Sequence, residues 1–232
     1  FQVVPKFDEK KCIKCGRCGK ICKVSAIVSL KDRYPVFVEN LCNGCGACMI
    51  TCPTRAITKG RKKVGEIFTG KHGRLSLVSA EIMPGYFGSD FVVEKEISFA
   101  EDLRKGQGRY SMTFVDTAAG THCNVISALK YCELALAVTE PTPLGAHDLD
   151  LILNLCRTLK VPASIILNRS DIGDRSLIER IAAKYNTGII AEIPHRKRIM
   201  EAYSRGEPIE DKALINILQQ IIGNNSQAEG GD

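Results

Sequence analysis

Apolar positions in the second half of the chain follow two different periods. Near-continuous apolar runs predict four buried strands, at residues 112–118, 134–140, 163–169 and 187–194. Apolar residues at helical spacing predict five helices, at residues 124–132, 145–160, 174–186, 196–205 and 211–222. Asp174 is expected to cap the amino end of the third of these helices.

The order of these elements predicts the fold class. Buried strands that alternate with amphipathic helices are typical of right-handed βαβ units and a mainly parallel sheet with flanking helices. Residues 111–223 are therefore expected to form an α/β fold, and residues 224–232 a disordered tail. Ligands of such sheets bind at the carboxyl ends of the strands.

Residues 64–83 have the alternating pattern of a β-hairpin, which we expect to turn at residues 71–73. The segment Gly65–His72, GEIFTGKH, also fits the spacing of a phosphate-binding loop, but His72 stands where serine or threonine must hold magnesium. A phosphate-binding loop opens a helix, whereas a strand-like pattern follows here. The hairpin is therefore the prediction.

Composition and charge exclude several classes of protein. An apolar content of 44% supports a packed core, and the net charge of +6 is only a mild excess. The one short basic run, Lys59 to Lys63, is read as a solvated surface, because no nucleic-acid recognition motif accompanies it. No apolar stretch approaches the ~20 residues that span a bilayer. Neither a nucleic-acid partner nor a membrane span is expected.

Eight of the eleven cysteines lie in two copies of the motif C-x2-C-x2-C-x3-C. The first copy, CIKCGRCGKIC, covers residues 12–22, and the second, CNGCGACMITC, covers residues 42–52. Gly16 recurs as Gly46, so the repeat includes more than the cysteines. An odd cysteine count without a signal peptide argues against disulfides and for a reducing, cytoplasmic compartment. The other three, Cys123, Cys132 and Cys156, are expected to be buried, inert thiols.

The spacing of each motif suits an iron–sulfur cluster. In the bacterial ferredoxin arrangement three cysteines of one motif hold one cluster, and the fourth ligates the other cluster. We therefore expect two [4Fe–4S] clusters, one held by Cys12, Cys15, Cys18 and Cys52 and the other by Cys42, Cys45, Cys48 and Cys22. Zinc is the alternative, but zinc sites usually draw cysteine pairs from separate knuckles. Two compact four-cysteine runs favour clusters.

Residues 5–58 resemble a bacterial two-cluster ferredoxin, and the resemblance rests on both cysteine motifs. Pro53 follows Cys52, as that family prefers, whereas Lys23 follows Cys22 and departs from the pattern. We accordingly expect a ferredoxin-type domain at residues 1–60 and an α/β domain at residues 61–232. In the second domain, the hairpin and a connecting segment would occupy residues 61–110, ahead of the βα units.

The ends of the predicted strands carry the segments VDTAAG, TEPTPLGAHDL, NRSD and EIPHRKRIMEAYSRGEPI. In this order, behind a ferredoxin-like segment, they resemble the MinD/ParA group of P-loop ATPases. More narrowly, the chain resembles those members that carry an inserted two-cluster ferredoxin domain. The resemblance covers essentially the whole chain, and it implies a MinD-like fold, Mg-ATP as a ligand and a nucleotide-dependent homodimer.

The resemblance implies roles for four residues. Asp116 matches the aspartate that reaches magnesium through water, and Gly120 matches the glycine whose N–H senses the γ-phosphate. Asn168 matches the asparagine that reads adenine, and Pro194 the proline beside the base. The family shows D-x-P-P-G where this chain has DTAAG, so the loop lacks its prolines. From the residues alone, Asp116 also suits a helix cap and Asn168 an ordinary turn.

The Walker A loop of that family precedes its ferredoxin insert, and no such loop occurs in residues 1–232. We therefore expect Mg-ATP to bind only in a longer parent protein, a P-loop ATPase, and this chain to have no ATPase activity. Two hypotheses of function follow. One is a cytoplasmic electron-transfer protein that couples two clusters to a nucleotide-binding scaffold. The other is a plain ferredoxin-type carrier on a scaffold that binds no nucleotide, and in both the redox partner is unidentified.

Overall fold

The computed structural model describes residues 1–30, 32–107, 110–212 and 214–219. The chain divides into two compact units, Phe1–Lys105 and Gly106–Asp232. The predicted disordered tail at residues 224–232 lies outside the described residues, as does the end of the predicted last helix. Within the described residues, no helix combines the length and apolarity that crossing a membrane requires.

The first unit begins with a small, doubled arrangement of short elements. In chain order these are β1 (Gln2–Phe7), α1 (Arg17–Ile21), β2 (Ile27–Val28), β3 (Val36–Phe37), α2 (Ala47–Thr51) and β4 (Ile57–Lys62). Strand β1 pairs antiparallel with β4, and β2 pairs antiparallel with β3. The first cysteine motif therefore lies between β1 and β2 in sequence, and the second lies between β3 and β4.

The sequence repeat is also a repeat of the backbone. Three positive φ angles recur thirty residues apart, at Lys14 (58°) and Gly44 (75°), at Gly16 (71°) and Gly46 (76°), and at Ser25 (54°) and Arg55 (53°). A residue with a side chain is destabilised by roughly 1–2 kcal/mol in this left-handed region, whereas glycine adopts it readily. Gly16 and Gly46 precede α1 and α2, so each cysteine loop turns into its helix in the same way.

The apolar core around the motifs is small and shares members with them. Ile27, Cys48 and Ile57 are buried together. The ring of Phe7 packs on Phe37, with ring centroids 5.3 Å apart. Partly buried cysteines of both motifs complete this apolar core. The packing of the region therefore depends on the group that these cysteines bind.

A hairpin and most of a long helix complete the first unit. Strand β5 (Gly65–His72) pairs antiparallel with β6 (Leu75–Ile82), which confirms the predicted hairpin. The turn falls at residues 73–74, slightly later than predicted, and Gly73 has the positive φ of 57° that favours glycine there. Helix α3 (Ser89–Gln107) follows. The apolar pattern did not predict α3, which buries few large side chains, Val92 and Ile97 among them.

The second unit is an α/β fold, as predicted. Its elements are α4 (Cys123–Leu129), β7 (Ala135–Thr139), α5 (Pro143–Leu159), β8 (Ala163–Asn168), α6 (Arg175–Tyr185), β9 (Ile189–Ile193) and α7 (Lys197–Ser204). The strands form a parallel sheet in the order β7-β8-β9. Residues 214–219 are also helical.

One face of this sheet holds the larger core. Ile165 and Leu167 of β8 are fully buried against Leu149 of α5 and Ile178 of α6. The predicted cap of α6 is confirmed, because the Asp174 carboxylate accepts a hydrogen bond from the backbone N–H of Ser176 at 2.9 Å. Such a cap typically stabilises a helix by about 0.5–2 kcal/mol. The second unit therefore has a core of its own.

The strand predicted at residues 112–118 is wrong. These residues are irregular and mostly exposed, and the side chain of Phe114 is 60% exposed. An apolar run shows only that a segment can be a strand, whereas a strand forms when a neighbour takes its backbone hydrogen bonds. In the part of the chain that the structure describes, β7 pairs only with β8, so no second strand lies along its outer edge.

Candidate iron–sulfur centre

Four cysteines line one cavity that opens to solvent. Three come from the first motif and one from the second: Cys12, Cys15, Cys18 and Cys52. The remaining wall is largely apolar and includes Phe7, Ile13 and Ile57. The structure thus brings together the four residues that the sequence assigned to one cluster.

A second cavity, which also opens to solvent, has the complementary set of cysteines. It is lined by Cys42, Cys45 and Cys48 of the second motif and by Cys22 of the first. Val3, Val24 and Ile27 are among its apolar lining residues. Each motif therefore contributes three cysteines to one cavity and one cysteine to the other.

The short helices explain why the ligand sets cross. Cys18 lies in the first turn of α1, whereas Cys22 is the residue that ends it. The two are four residues apart, which separates them by about 6 Å along a helix axis. Helix α2 places Cys48 and Cys52 in the same relation. Since α1 and α2 pack together, each helix reaches one cavity near its start and the other at its end.

Glycines allow the backbone to pack closely around both cavities. A Cβ atom on Gly19 would lie 2.1 Å from the Ser29 hydroxyl oxygen. That hydroxyl donates a hydrogen bond to the carbonyl oxygen of Gly16 at 2.9 Å and so fixes the start of α1. On the other side, a Cβ atom on Gly44 would lie 2.8 Å from the carbonyl oxygen of Val3. A larger residue at either position would displace the cysteine loop.

Backbone N–H groups are directed at the cysteine sulfurs of the first cavity. The N–H of Lys14 donates to Cys12 Sγ at 3.4 Å, and the N–H of Ala56 donates to Cys52 Sγ at 3.2 Å. Hydrogen bonds to the sulfurs stabilise negative charge on the ligands and are one of the factors that set the potential of such clusters.

The thiols of the two motifs differ in acidity. Burial, together with the neighbouring Cys42 and Cys45, raises the pKa of Cys48 to about 11. Burial also raises the pKa of Cys18. Burial acts in the same direction on Cys52, but hydrogen bonds from the Thr54 hydroxyl and nearby N–H groups outweigh it and lower the pKa. Thiolate ligation by the buried cysteines therefore depends on a bound cation and releases protons.

The residues around the cavities fit [4Fe–4S] clusters. Thiolate sulfurs are the ligands that iron–sulfur clusters prefer, and each cavity presents four of them in a mainly apolar wall. Among the described residues, no group of three His, Cys, Asp or Glu side chains is arranged to hold a single metal ion. When bound, each such cluster would accept and donate one electron at a time.

The three other cysteines lie in the second unit, where Cys156 is buried and Cys132 is partly buried. The prediction that all three are buried is wrong for Cys123, which is exposed at the start of α4. An apolar stretch follows it in sequence, but Cys123 does not share the buried face of α4 that contains Val125 and Leu129.

The structure brings together two of the four residues implied in nucleotide binding, Asn168 and Pro194. Asn168 ends β8 and pairs with Ile193, which directly precedes Pro194, so both lie at the carboxyl edge of the sheet. Asp116 and Gly120 lie in the irregular stretch before α4, where both are exposed. The absence of the strand at 112–118 explains the difference, since that strand was expected to deliver Asp116 to the edge.

Other residues that support the centre were not found from the sequence. The Gln2 side chain is buried and donates from Nε2 to the carbonyl oxygen of Cys42 at 3.1 Å. Ser29 supports α1 through Gly16. Each contacts a residue that is distant in the sequence, and neither belongs to a motif. No pattern in the sequence therefore identifies them.

Comparison with known proteins supports the class that the fold and the site define. The family described as 4Fe-4S dicluster domain matches residues 6–59. The chain is therefore an iron–sulfur protein in which such a domain is joined to an α/β unit.

The chain belongs to the family of the protein MJ0579 of Methanocaldococcus jannaschii, which is named as uncharacterized. It is 33% identical to MJ0579 over 222 residues, covering 95% of this chain and 74% of that protein. MJ0578 of the same organism, also named as uncharacterized, is 30% identical over 163 residues, covering 70% of this chain and 55% of that protein.

Two further similarities cover less of the chain. A protein of Rickettsia bellii named iron-sulfur cluster carrier protein is 27% identical over 110 residues, which is 46% of this chain and 35% of that protein. Among solved structures, the MinD cell division protein of Aquifex aeolicus matches with a TM-score of 0.48 at 23% identity, covering 58% of this chain and 61% of that one.

Proposed function

We propose that this protein transfers electrons through two [4Fe–4S] clusters, each held by three cysteines of one motif and the last cysteine of the other. The observation that carries the proposal is the pair of cavities, each surrounded by four cysteines in this crossed arrangement. The first cluster has Cys12, Cys15, Cys18 and Cys52 as ligands, and the second has Cys42, Cys45, Cys48 and Cys22.

Retention of the clusters is favoured over their delivery to other proteins. The name of the Rickettsia relative makes cluster delivery the alternative. However, four cysteines around each cavity are enough to coordinate every iron of a [4Fe–4S] cluster, which leaves no open position for an accepting ligand. Fully coordinated clusters suit an electron carrier in a reducing compartment, which we take to be the cytoplasm.

Anaerobically reconstituted protein is expected to contain about eight iron and eight sulfide per chain, because each [4Fe–4S] cluster has four of each. Iron and acid-labile sulfide assays measure both numbers. After incubation with an apo-ferredoxin and repurification, the same protein should retain its iron. Two zinc ions without sulfide would refute the cluster proposal, whereas rapid loss of iron to the acceptor would favour delivery.

A nucleotide-dependent role is the second part of the proposal. In a longer parent protein, a Walker A segment would precede an inserted ferredoxin domain at residues 1–60, and residues 61–232 would complete a MinD-like ATPase. Asn168 and Pro194 would contact the adenine, while Asp116 and Gly120 would face magnesium and the γ-phosphate. The shared sheet edge of Asn168 and Pro194 supports this assignment. Nucleotide would then favour a homodimer; the alternative is a carrier whose scaffold binds no nucleotide.

Residues 1–232 are expected to bind Mg-ATP weakly and to show no ATPase activity. Most affinity for a nucleotide comes from the triphosphate cradle and its lysine, which this sequence does not contain. The segment Gly65–His72 forms β5 of the hairpin instead. Calorimetric titration with Mg-ATP measures the affinity, with Lys71→Ala as the control variant. Micromolar binding that this substitution abolishes would show that the hairpin does bind phosphate.

A further inference from the structure

The two copies of the cysteine motif differ sharply in charge. Residues 8–23 contain six Lys or Arg and two Asp or Glu, a net charge of +4, whereas residues 38–53 contain one Glu and no basic residue. The aligned pairs are Lys10 and Asn40, Lys14 and Gly44, Arg17 and Ala47, and Lys20 and Ile50. Since both copies fold alike, the fold does not require these basic residues.

Lys14 shows this most clearly. Its φ of 58° is in the left-handed region, where the second copy has Gly44. A lysine is less stable than glycine in that conformation, so the backbone gives no reason for its presence. The side chain lies with Nζ 4.5 Å from the ring centre of Tyr34, a cation–π contact that keeps the charge beside the first cavity.

The surface charge around the first motif is largely unneutralised. Within the described residues, Lys11 has an ion pair, to Asp8 at 3.4 Å, while Lys10, Arg17 and Lys20 have no carboxylate within 4.0 Å. All three of these side chains are exposed. We call the set Lys10, Lys11, Lys14, Arg17 and Lys20 the basic surface.

An apolar side chain is exposed within the basic surface. Ile13 belongs to the same loop, lines the first cavity and is 62% exposed, whereas the aligned residue in the second copy is Asn43. Cys15, two residues further on, is also exposed. An exposed apolar centre within a charged rim is the usual composition of a protein-binding surface.

The corresponding loop of the second motif is also exposed, at Asn43 and Cys45, but residues 42–46 contain no basic and no aliphatic side chain, and β1 packs against the loop. Strand β1 crosses it so closely that a Cβ atom on Gly44 would contact the carbonyl oxygen of Val3. Gln2 is buried there and binds the carbonyl oxygen of Cys42. The first cavity is thus the one whose loop carries both accessible apolar surface and charge.

We propose that the basic surface docks a redox protein with a carboxylate-rich surface, so that electrons enter and leave through the cluster of Cys12, Cys15, Cys18 and Cys52. This inference rests on the proposed electron-transfer function and adds the kind of partner and the site of exchange. Exposed Lys and Arg attract an acidic partner and orient it, and Ile13 provides the apolar contact at the centre. A nucleic acid fits less well, because these charges surround one loop instead of forming a stripe along a strand.

The test uses the reconstituted full chain and an acidic flavodoxin as the probe. The variant combines Lys10→Gln, Lys14→Gln and Arg17→Gln, and the matched control removes two basic residues from the hairpin turn, Lys71→Gln and Arg74→Gln. Titration calorimetry with both proteins oxidised measures docking without electron transfer. Stopped-flow mixing of the reduced protein with oxidised flavodoxin then measures exchange. In each event the cluster loses one electron, and the flavin takes that electron and one proton from solvent to form the semiquinone.

At low ionic strength the triple variant is expected to bind flavodoxin about tenfold more weakly and to transfer electrons about tenfold more slowly, since electrostatic steering changes association rates by 10–10³. The control variant should stay within twofold of the unmodified chain for both quantities. Equal losses in the two variants, or no loss in the triple variant, would overturn the proposal. So would binding of a labelled single-stranded oligonucleotide that needs the same three residues while flavodoxin exchange does not. Iron content is measured first: its absence from the unmodified chain refutes the cluster proposal instead, and both variants must match the unmodified chain before docking is compared.

Discussion

Replacing Cys52 with alanine is expected to remove the cluster of Cys12, Cys15 and Cys18, although Cys52 belongs to the other motif. Cys52 ends α2 and lines the first cavity, where its sulfur accepts a hydrogen bond from Ala56 N–H. Without the fourth thiolate, one iron of the cluster lacks a protein ligand. Iron content should fall from about eight to about four per chain, and the electron paramagnetic resonance spectrum of the reduced protein should keep a single cluster signal.

Paired substitutions separate crossed from uncrossed ligation. The double variant Cys12→Ala with Cys52→Ala should lose no more iron than either single variant, because both residues line one cavity. The double variant Cys12→Ala with Cys22→Ala should lose nearly all its iron, since the two line different cavities. Cys156→Ala, at a buried thiol of the second unit, is the control and should keep full iron content. The opposite result for the two doubles would show that each motif holds its own cluster.

The candidate centre could be predicted from the sequence because its ligands are set by local spacing. Two residues between successive cysteines keep three of them around one loop and the first turn of a short helix, and three residues before the last place it at the far end of that helix. The structure places the same two sets of four cysteines around two cavities. By contrast, the packing of β1 against the second motif depends on the close approach of Val3 to Gly44, 41 residues apart, and no local pattern contains it.

In the second unit, local patterns predicted the elements that have a partner in the sheet. Strands β7, β8 and β9 fall within the predicted apolar runs, because each is buried by neighbours that the chain itself provides. The run at 112–118 has the same composition but remains irregular, and Phe114 and Val115 stay exposed. The apolar pattern does not predict helix α3, because most of its side chains are polar and only a few, such as Val92 and Ile97, are apolar and buried. Its sequence therefore shows little apolar periodicity.

The cluster-binding region is expected to unfold when the clusters are removed. Its apolar core is limited to a few residues such as Ile27 and Ile57, and cysteine ligands of both motifs complete it. Without clusters, nothing fills the space between the four cysteines of each set, whose thiols repel one another when ionised. For a region of this size, the free energy of metal-site binding becomes free energy of folding.

The second unit should survive the same treatment, because Leu149, Ile165 and Ile178 form a core without any cysteine ligand of the two motifs. After removal of the clusters with ferricyanide and a chelator, hydrogen exchange measured by mass spectrometry should show lost protection in β1 and β4 and retained protection in β8. Peptides from β8 are the internal control for general damage, and reconstitution with iron and sulfide should restore protection in β1. Protection that persists in β1 and β4 without iron would mean that the region folds independently of its clusters. Joint loss in β1 and β8 would instead mean that the two units unfold together.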